Sequence, residues 1–431
     1  MEQPTHVRYQ VLAVVCSLAV LTYIQRQGFV AATPYIKEDL GLRDGQMGYL
    51  LAVWLVAYGL FQVPCGLIGD RIGARHLITV LVLGWSLTLL AVALTVFLPT
   101  GSWLPFAVLL VLRFVFGGFQ AGVFPGLARV VTDWMPAQVR GSAQGSIWTF
   151  SRIGGALAPV FVVWLITKVF HGWSITITLI ALMGLLWCAF FWWWFRNQPE
   201  EMPQVNEAER ELISQSRVET SQAVGPLPWG RFLTSPNVWG LCLMYGFAGY
   251  AGNFITSFLN VYLRDHRNLP DTTTAWLAGV PLAAGIVSSL TGGVVSDRLI
   301  RLLGSRKWGR RIVGSVALAL AGVCTTCTPW VNEVWQLAIM LGAWMFFNDA
   351  MMGPAWASCA DVGERYAGTL SGAMNMTGAL AGAISMIVTG QLLDSSRYST
   401  IFAVFGCGYA LAALCWLAVD VTKPLVPREG N

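Results

Sequence analysis

Apolar segments of about 20 residues, enough to cross hydrocarbon as α-helix, recur twelve times along the chain, near 9–30, 46–66, 75–97, 103–125, 141–165, 171–195, 237–260, 272–296, 309–330, 333–357, 366–392 and 397–420. Six lie before the one long polar stretch, Arg196 to Pro236, and six after it. That stretch holds Pro199, Glu200, Glu201 and a helix-like run from Asn206 to Arg217, and is too short for a soluble catalytic domain. The pattern predicts an all-α integral membrane protein. A six-helix bundle covers residues 1–195, a cytoplasmic linker 196–236, and a second six-helix bundle 237–431.

The halves echo each other. The stretch GLIGDRIGAR, Gly66 to Arg75, sets charges and glycines between two apolar runs and predicts a very tight hydrophilic turn. Gly293, Asp297 and Arg298 repeat the spacing of Gly66, Asp70 and Arg71 at an offset of about 227 residues, and Gly141 and Gly145 precede Gly368 and Gly372 by about the same distance. The expected bundles are therefore pseudo-symmetric copies.

Composition sharpens this reading. At 55% hydrophobic and 11% charged, with a mean hydropathy of +0.60, the chain lies far from the soluble average of about 25% charged. A net charge of +5 then says little about nucleic acid, and no such partner is expected. With the N-terminus inside, cytoplasmic segments carry roughly 18 Lys and Arg against roughly 6 outside, which sets both termini, both Asp-Arg turns and the linker in the cytoplasm. A signal-peptide reading of the first span fails because Gln25-Arg26-Gln27 interrupts its end and an even number of spans requires it. The nine cysteines are scattered and odd in number, and the Cys324/Cys327 pair stands alone inside a span. His6, His76, His171 and His266 fall at span edges or in loops, so no metal, cofactor or catalytic nucleophile is expected.

The charges inside the spans carry the candidate chemistry. Arg26, Arg113 and Arg152 fall in spans one, four and five, where each costs about 2.5 to 3.5 kcal/mol if unpaired. No acid in those spans neutralises them. Arg113 and Gln120 are two helical turns apart, and Tyr23 and Arg26 one turn apart, so each pair shares a face. The pattern predicts a positive cavity for a small organic anion; snorkelling of Arg26 and structural pairing of the others is the competing account. Asp70 could cap a helix start, or join Arg71, Arg129 and Arg140 in a cytoplasmic charge cluster that closes an inner gate, with Asp297 and Arg298 as the second copy.

The spans, the GLIGDRIGAR turn with its echo, and the segment DWMPAQVRGSAQG resemble the major facilitator superfamily over essentially the whole chain. Within it, YIQRQGFVAATPYIKEDLG, RFVFGGFQAGVFPG and GPAWASC with YAGTLSGAMNMTGALAG resemble the anion:cation symporter family, whose members carry sugar acids and other organic acids. The resemblance implies alternating-access transport of an organic anion by a monomer in a bacterial inner membrane. It places Arg26, Tyr58, Arg113 and Asn375 at positions that bind the substrate carboxylate or hydroxyls. The first span also resembles organophosphate:phosphate antiporters, which carry a second arginine on span seven; here Asn253, Thr256 and Ser257 stand there, so Asn253 and Ser257 join the candidate binding set.

One departure bears on coupling. Proton-coupled bacterial members of the symporter family have acids where this chain has Gln25 and Gln120, and glutamine keeps the hydrogen bonds while losing the proton site. Either the coupling proton moves to Asp349, the acid inside span ten, or the protein exchanges anions or acts as a uniporter. A sensor would be expected to carry a signalling domain, and a membrane enzyme a catalytic cluster; the sequence shows neither.

Overall fold

The computed structural model describes residues 3–100, 102–214, 226–394 and 398–426. Inside hydrocarbon no water pairs with the backbone, so a spanning segment must satisfy its own N–H and C=O groups, and the apolar runs fold as long helices. Contacts divide the chain into two units: Met1–Trp134 with Phe150–Val224, and Met135–Thr149 with Gly225–Asn431.

The first unit comprises α1 (Val7–Leu40), α2 (Asp44–Ile72), α3 (Ala74–Leu94), α4 (Leu104–Ala121), α5 (Val123–Trp134), the part of α6 (Arg140–Trp164) from Phe150 onward, α7 (Trp173–Trp194) and α8 (Glu207–Ser214). The second comprises α6 up to Thr149, α9 (Trp229–Thr234), α10 (Pro236–Ser257), α11 (Asp271–Leu303), α12 (Arg306–Cys327), α13 (Val334–Ala350), α14 (Met352–Gly363), α15 (Ala367–Asp394) and α16 (Tyr398–Cys415). Packing repeats between them. In the first unit α2 lies along α4, α3 along α7 and α4, and α1 along α7; in the second, α11 lies along α13, α12 along α16 and α13, and α10 along α16.

Among the described residues ten helical stretches are long and apolar enough to cross a bilayer. One of these, Val334–Thr389, holds two of the expected segments, divided at Glu364 by a positive φ of 46° and a short 3-10 turn. The seventh expected segment is the 22-residue α10, whose Asn237 and Asn253 dilute its apolar run. Several helices outrun their apolar segments. Helix α1 continues to Leu40, where Lys37 sits in the last turn, so its final residues lie beyond the apolar run that predicted the span.

The tight turn is a single residue. Helix α2 runs through Asp70 and Arg71 to Ile72, Gly73 reverses the chain at φ +81°, and α3 starts at Ala74. A side chain at Gly73 would be strained by that φ and would collide with Asn197, whose Oδ1 accepts from the Arg75 N–H at 2.8 Å. Asp70 therefore lies in the last turn of its own helix rather than at a helix start, an unfavourable place for an acid against the helix dipole, and it needs a cation from elsewhere.

The linker is pinned to the start of α1. Glu209 on α8 is buried, and its carboxylate accepts from Thr5 Oγ1 (2.6 Å), Val7 N (2.9 Å), Arg8 N (3.1 Å) and Arg8 Nη1 (2.8 Å). It thus does for α1 what an N-cap residue would do, since His6 offers no side-chain cap. Burial alone would raise the Glu209 pKa, but the Thr5, Arg8 and Val7 hydrogen bonds and the Arg8 charge hold it below the ordinary carboxylate range. A depressed carboxylate stabilises above its unfolded pKa and loses that contribution as pH falls through the folded value. Glu209→Gln should cost about 1–3 kcal/mol at neutral pH, and the difference from wild type should shrink on acidification below roughly pH 4; hydrogen exchange at residues 7–10 reads both.

Candidate substrate site

Three helices of the first unit place aromatic and cationic side chains together. On α1, Tyr23, Arg26 and Phe29 follow at three-residue spacing; on α2, Trp54, Tyr58 and Gln62 at four; on α4, Arg113, Phe116 and Gln120 at three and four. The Arg26 guanidinium carbon lies over the rings of Tyr23 (4.9 Å), Trp54 (4.9 Å) and Tyr58 (4.8 Å), and Trp54 stacks on Tyr58 at 5.3 Å. Arg113 lies over Phe29 (4.1 Å), Phe116 (5.3 Å) and Trp54 (5.9 Å). Cation–π contact of this kind stabilises a guanidinium without occupying its in-plane N–H groups.

The remaining partners are neutral. Arg26 Nε donates to Gln120 Oε1 at 3.1 Å, Gln120 Nε2 donates to the Thr22 carbonyl at 3.4 Å, and Arg113 Nε donates to the Leu50 carbonyl at 3.3 Å. Arg26 Nη2, Arg113 Nη1 and Trp54 Nε1 are buried without a hydrogen-bond partner among the described residues, as are both amide atoms of Gln62. Buried donors in that state await a ligand or water. Snorkelling does not describe Arg26, whose Nη2 is buried and whose Nε donates to Gln120, and no acid pairs with the fully buried Arg113 among the described residues.

Of the sequence candidates, the structure brings together Tyr23, Arg26, Tyr58, Arg113 and Gln120. Gln25 goes elsewhere: its Oε1 accepts from Trp85 Nε1, and its Nε2 donates to the Ile180 carbonyl (2.9 Å) and Ser86 Oγ (3.5 Å), bracing α1 against α3 and α7. Consecutive helical residues point about 100° apart, so Gln25 and Arg26 cannot serve one cavity. Arg152 is half-buried on α6. Trp54 and Gln62 were missed; their spacing around Tyr58 was the available signal, hidden because Trp is unremarkable in an apolar run.

In the second unit, Asn253 Nδ2 donates to the Gly382 carbonyl (3.2 Å) and Ser257 Oγ donates to Asn253 Oδ1 (3.4 Å), while Asn375 is buried on α15. Asp349 is fully buried on α13 at the end of a directed chain. Trp344 Nε1, a donor only, gives to Tyr409 OH (2.8 Å); Tyr409 gives to Asn348 Oδ1 (2.9 Å); Asn348 Nδ2 gives to Asp349 Oδ1 (2.9 Å).

The charged residues near the Asp-Arg motifs form two clusters. In the first unit Arg129 Nε pairs with Asp133 (2.8 Å) and its Nη1 approaches Asp70 at 3.9 Å, supplying the cation that Asp70 lacks locally. In the second, Asp297 accepts from Gly141 N (3.2 Å), Ser142 N (2.6 Å) and Ser142 Oγ (2.6 Å), capping the start of α6, and pairs with Arg310 (2.8 Å). Arg310 also approaches Asp361 (3.7 Å), which pairs with Arg140 (2.8 Å). Arg71 and Arg298 are exposed and join no ion pair among the described residues; sequence adjacency turned each away from its aspartate. Arg310 and Asp361 take that place, which no local motif announced.

A family model described as Major Facilitator Superfamily matches residues 15–386. The chain belongs to the Major Facilitator Superfamily. It is a multi-pass integral membrane transporter and not an enzyme. Among curated superfamily proteins it is similar to a probable sulfoacetate transporter of Cupriavidus necator (29% identical, 97% of this chain and 95% of the relative) and to a probable galactarate/D-glucarate transporter of Escherichia coli (27%, 100% and 98%). It is also similar to the hexuronate transporter of E. coli (26%, 97% and 95%). Among solved superfamily structures, the E. coli fucose:proton symporter matches with a TM-score of 0.73 at 13% identity over 96% of this chain and 99% of that one, a likeness of fold.

Breaking one member of a buried ion cluster costs about 3–5 kcal/mol, whereas an exposed charge contributes within about 0.5 kcal/mol. Asp297→Asn should lower the thermal unfolding midpoint by several degrees and Arg298→Gln should leave it unchanged, as read in detergent at one pH.

Proposed function

We propose that this superfamily member moves a small organic anion across a bacterial cytoplasmic membrane by alternating access, with Arg26 and Arg113 as the anion-binding pair. The carrying observation is that Arg113 is fully buried and Arg26 half-buried, that aromatic faces and neutral oxygens hold both guanidinium groups, and that each keeps one buried N–H donor without a partner among the described residues. The similar sulfoacetate and galactarate/D-glucarate transporters, named for anionic cargo, support it. Tyr58, Gln120 and Tyr23 line the same pair, and Asn253, Ser257 and Asn375 are the polar candidates within the second unit. An organophosphate exchanger is the weaker reading, since α10 carries no arginine. The lysine and arginine bias supports cytoplasmic termini, and the protein is taken as a monomer of two halves, 1–195 and 237–431, joined by 196–236.

Gating falls to the buried clusters. The Asp297 carboxylate, which holds the start of α6 within the second unit, is the latch assigned to loosen during the transport cycle. Asp70 and Arg129 act as the equivalent device on α2 and α5.

Binding is the direct test. Lysine offers a point charge and no planar fork, so Arg113→Lys should stay at least about tenfold weaker than wild type for the bound organic acid, close to Arg113→Ala, in calorimetric titration. Recovery to within about twofold would remove the fork.

Coupling has a separate test. With Gln25 committed to Trp85 and Gln120 neutral, transport is either independent of protons or dependent on Asp349, which receives the Asn348 hydrogen bond. In proteoliposomes with an imposed pH gradient, uphill uptake should be absent in the wild type or be abolished by Asp349→Asn. Uptake that persists in the variant sets the coupling site elsewhere.

A further inference from the structure

Among the described residues no acid of the first unit pairs with either site arginine, and this bears on the charge of the cargo. Among the described residues the buried acids of the first unit are Asp70, Asp133 and Glu209. All three are taken: Asp70 and Asp133 by Arg129, Glu209 by Arg8. The acceptors on Arg26 and Arg113 are an amide oxygen and a backbone carbonyl, neither of which neutralises a guanidinium. Aromatic faces offset part of the positive charge but carry no net charge of their own.

The two groups also share one site. Both guanidinium carbons lie over the Trp54 ring, at 4.9 and 5.9 Å from its centroid, so they are no farther apart than those two distances laid end to end. Each keeps a buried nitrogen without a partner, Nη2 on Arg26 and Nη1 on Arg113. Two like charges in a poorly polarisable surrounding repel until anions match them. A monoanion can match only one.

We infer that the transported species is a dianion, with one acid group on Arg26 and the other on Arg113. The inference rests on the anion-transport reading and narrows it to short molecules with two acid groups, dicarboxylates or sulfocarboxylates, that span two guanidinium groups over one indole. The fully ionised molecule is the species bound, so discrimination is against any analogue in which one acid group is replaced by a neutral one of similar size.

Three matched pairs differ only by exchange of a terminal CH2OH for a carboxylate: isethionate and sulfoacetate, glycerate and tartronate, galactonate and galactarate. Titration calorimetry of the purified full chain at neutral pH measures all six. In the pair that binds most tightly, the dianion should bind at least about tenfold better than its monoanionic partner. Arg26→Gln and Arg113→Gln should each shrink that ratio below about threefold, mainly by weakening the dianion, whereas Arg26→Lys, which keeps the charge, should preserve the ratio at lower affinity. Variants are compared only as monodisperse species with wild-type unfolding midpoints, and the wild-type ratio stands as a test without them. A monoanion bound within twofold of its dianion in the wild type overturns the inference and leaves anion transport intact. If none of the six binds, the anion-transport reading falls and takes the inference with it.

Discussion

A guanidinium in an apolar bundle must be matched by something, and in this protein two kinds of match occur. Arg26 and Arg113 are matched by ring faces and by neutral oxygens, which stabilise the cation while leaving its edge open. A carboxylate in the same place would close the edge and turn a binding group into a strut. Trp54 carries most of this arrangement, since its ring faces both arginines and packs on Tyr58. Its own buried Nε1–H lacks a partner, so the indole supplies a π surface and a donor at one point.

The other buried arginines follow the opposite rule. Arg129 sits between Asp70 and Asp133, and Arg310 between Asp297 and Asp361, with Arg140 completing the second chain. The second cluster balances two cations against two anions. Balanced clusters of this kind contribute little net stability over apolar packing, but losing one member leaves a buried charge exposed to no counter-ion. That makes them poor glue but sharp determinants of one arrangement, since a change that loosens one contact loosens the set.

Much of this was legible in the chain. The twelve apolar runs, the duplicated Asp-Arg motif and the isolated arginines of spans one and four each follow from a local pattern with a physical cause, and each reappears as helices, as charge clusters and as the aromatic-lined pair. What was hidden depends on direction. Gln25 and Arg26 are neighbours in sequence and face different helices, and Asp297 and Arg298 part for the same reason. Partners distant in sequence were hidden as well. Nothing near Asp297 announces Arg310, and Gln62 looks like any polar residue until its buried amide is found without a partner. The helix-like run in the linker is borne out over Glu207–Ser214, while residues 215–217 lie outside the described residues.

Close backbone approach links the charge cluster to helix packing. A side chain on Gly353 would meet the Cα of Gly293 at 2.7 Å and the Gly141 carbonyl at 2.8 Å, so α6, α11 and α14 cross at three glycines beside the Asp297 carboxylate. Such a crossing has no interlocking side chains to hold it. Its register is set by the neighbouring hydrogen bonds from Gly141 and Ser142 to Asp297 and by the Arg140, Asp361, Arg310 chain. Smooth glycine surfaces held by a few strong polar contacts part with little repacking once those contacts are lost, whereas interdigitated cores do not. In the second unit, then, glycine at the crossing lets the helices come near, and the hydrogen bonds to Asp297 fix how they sit.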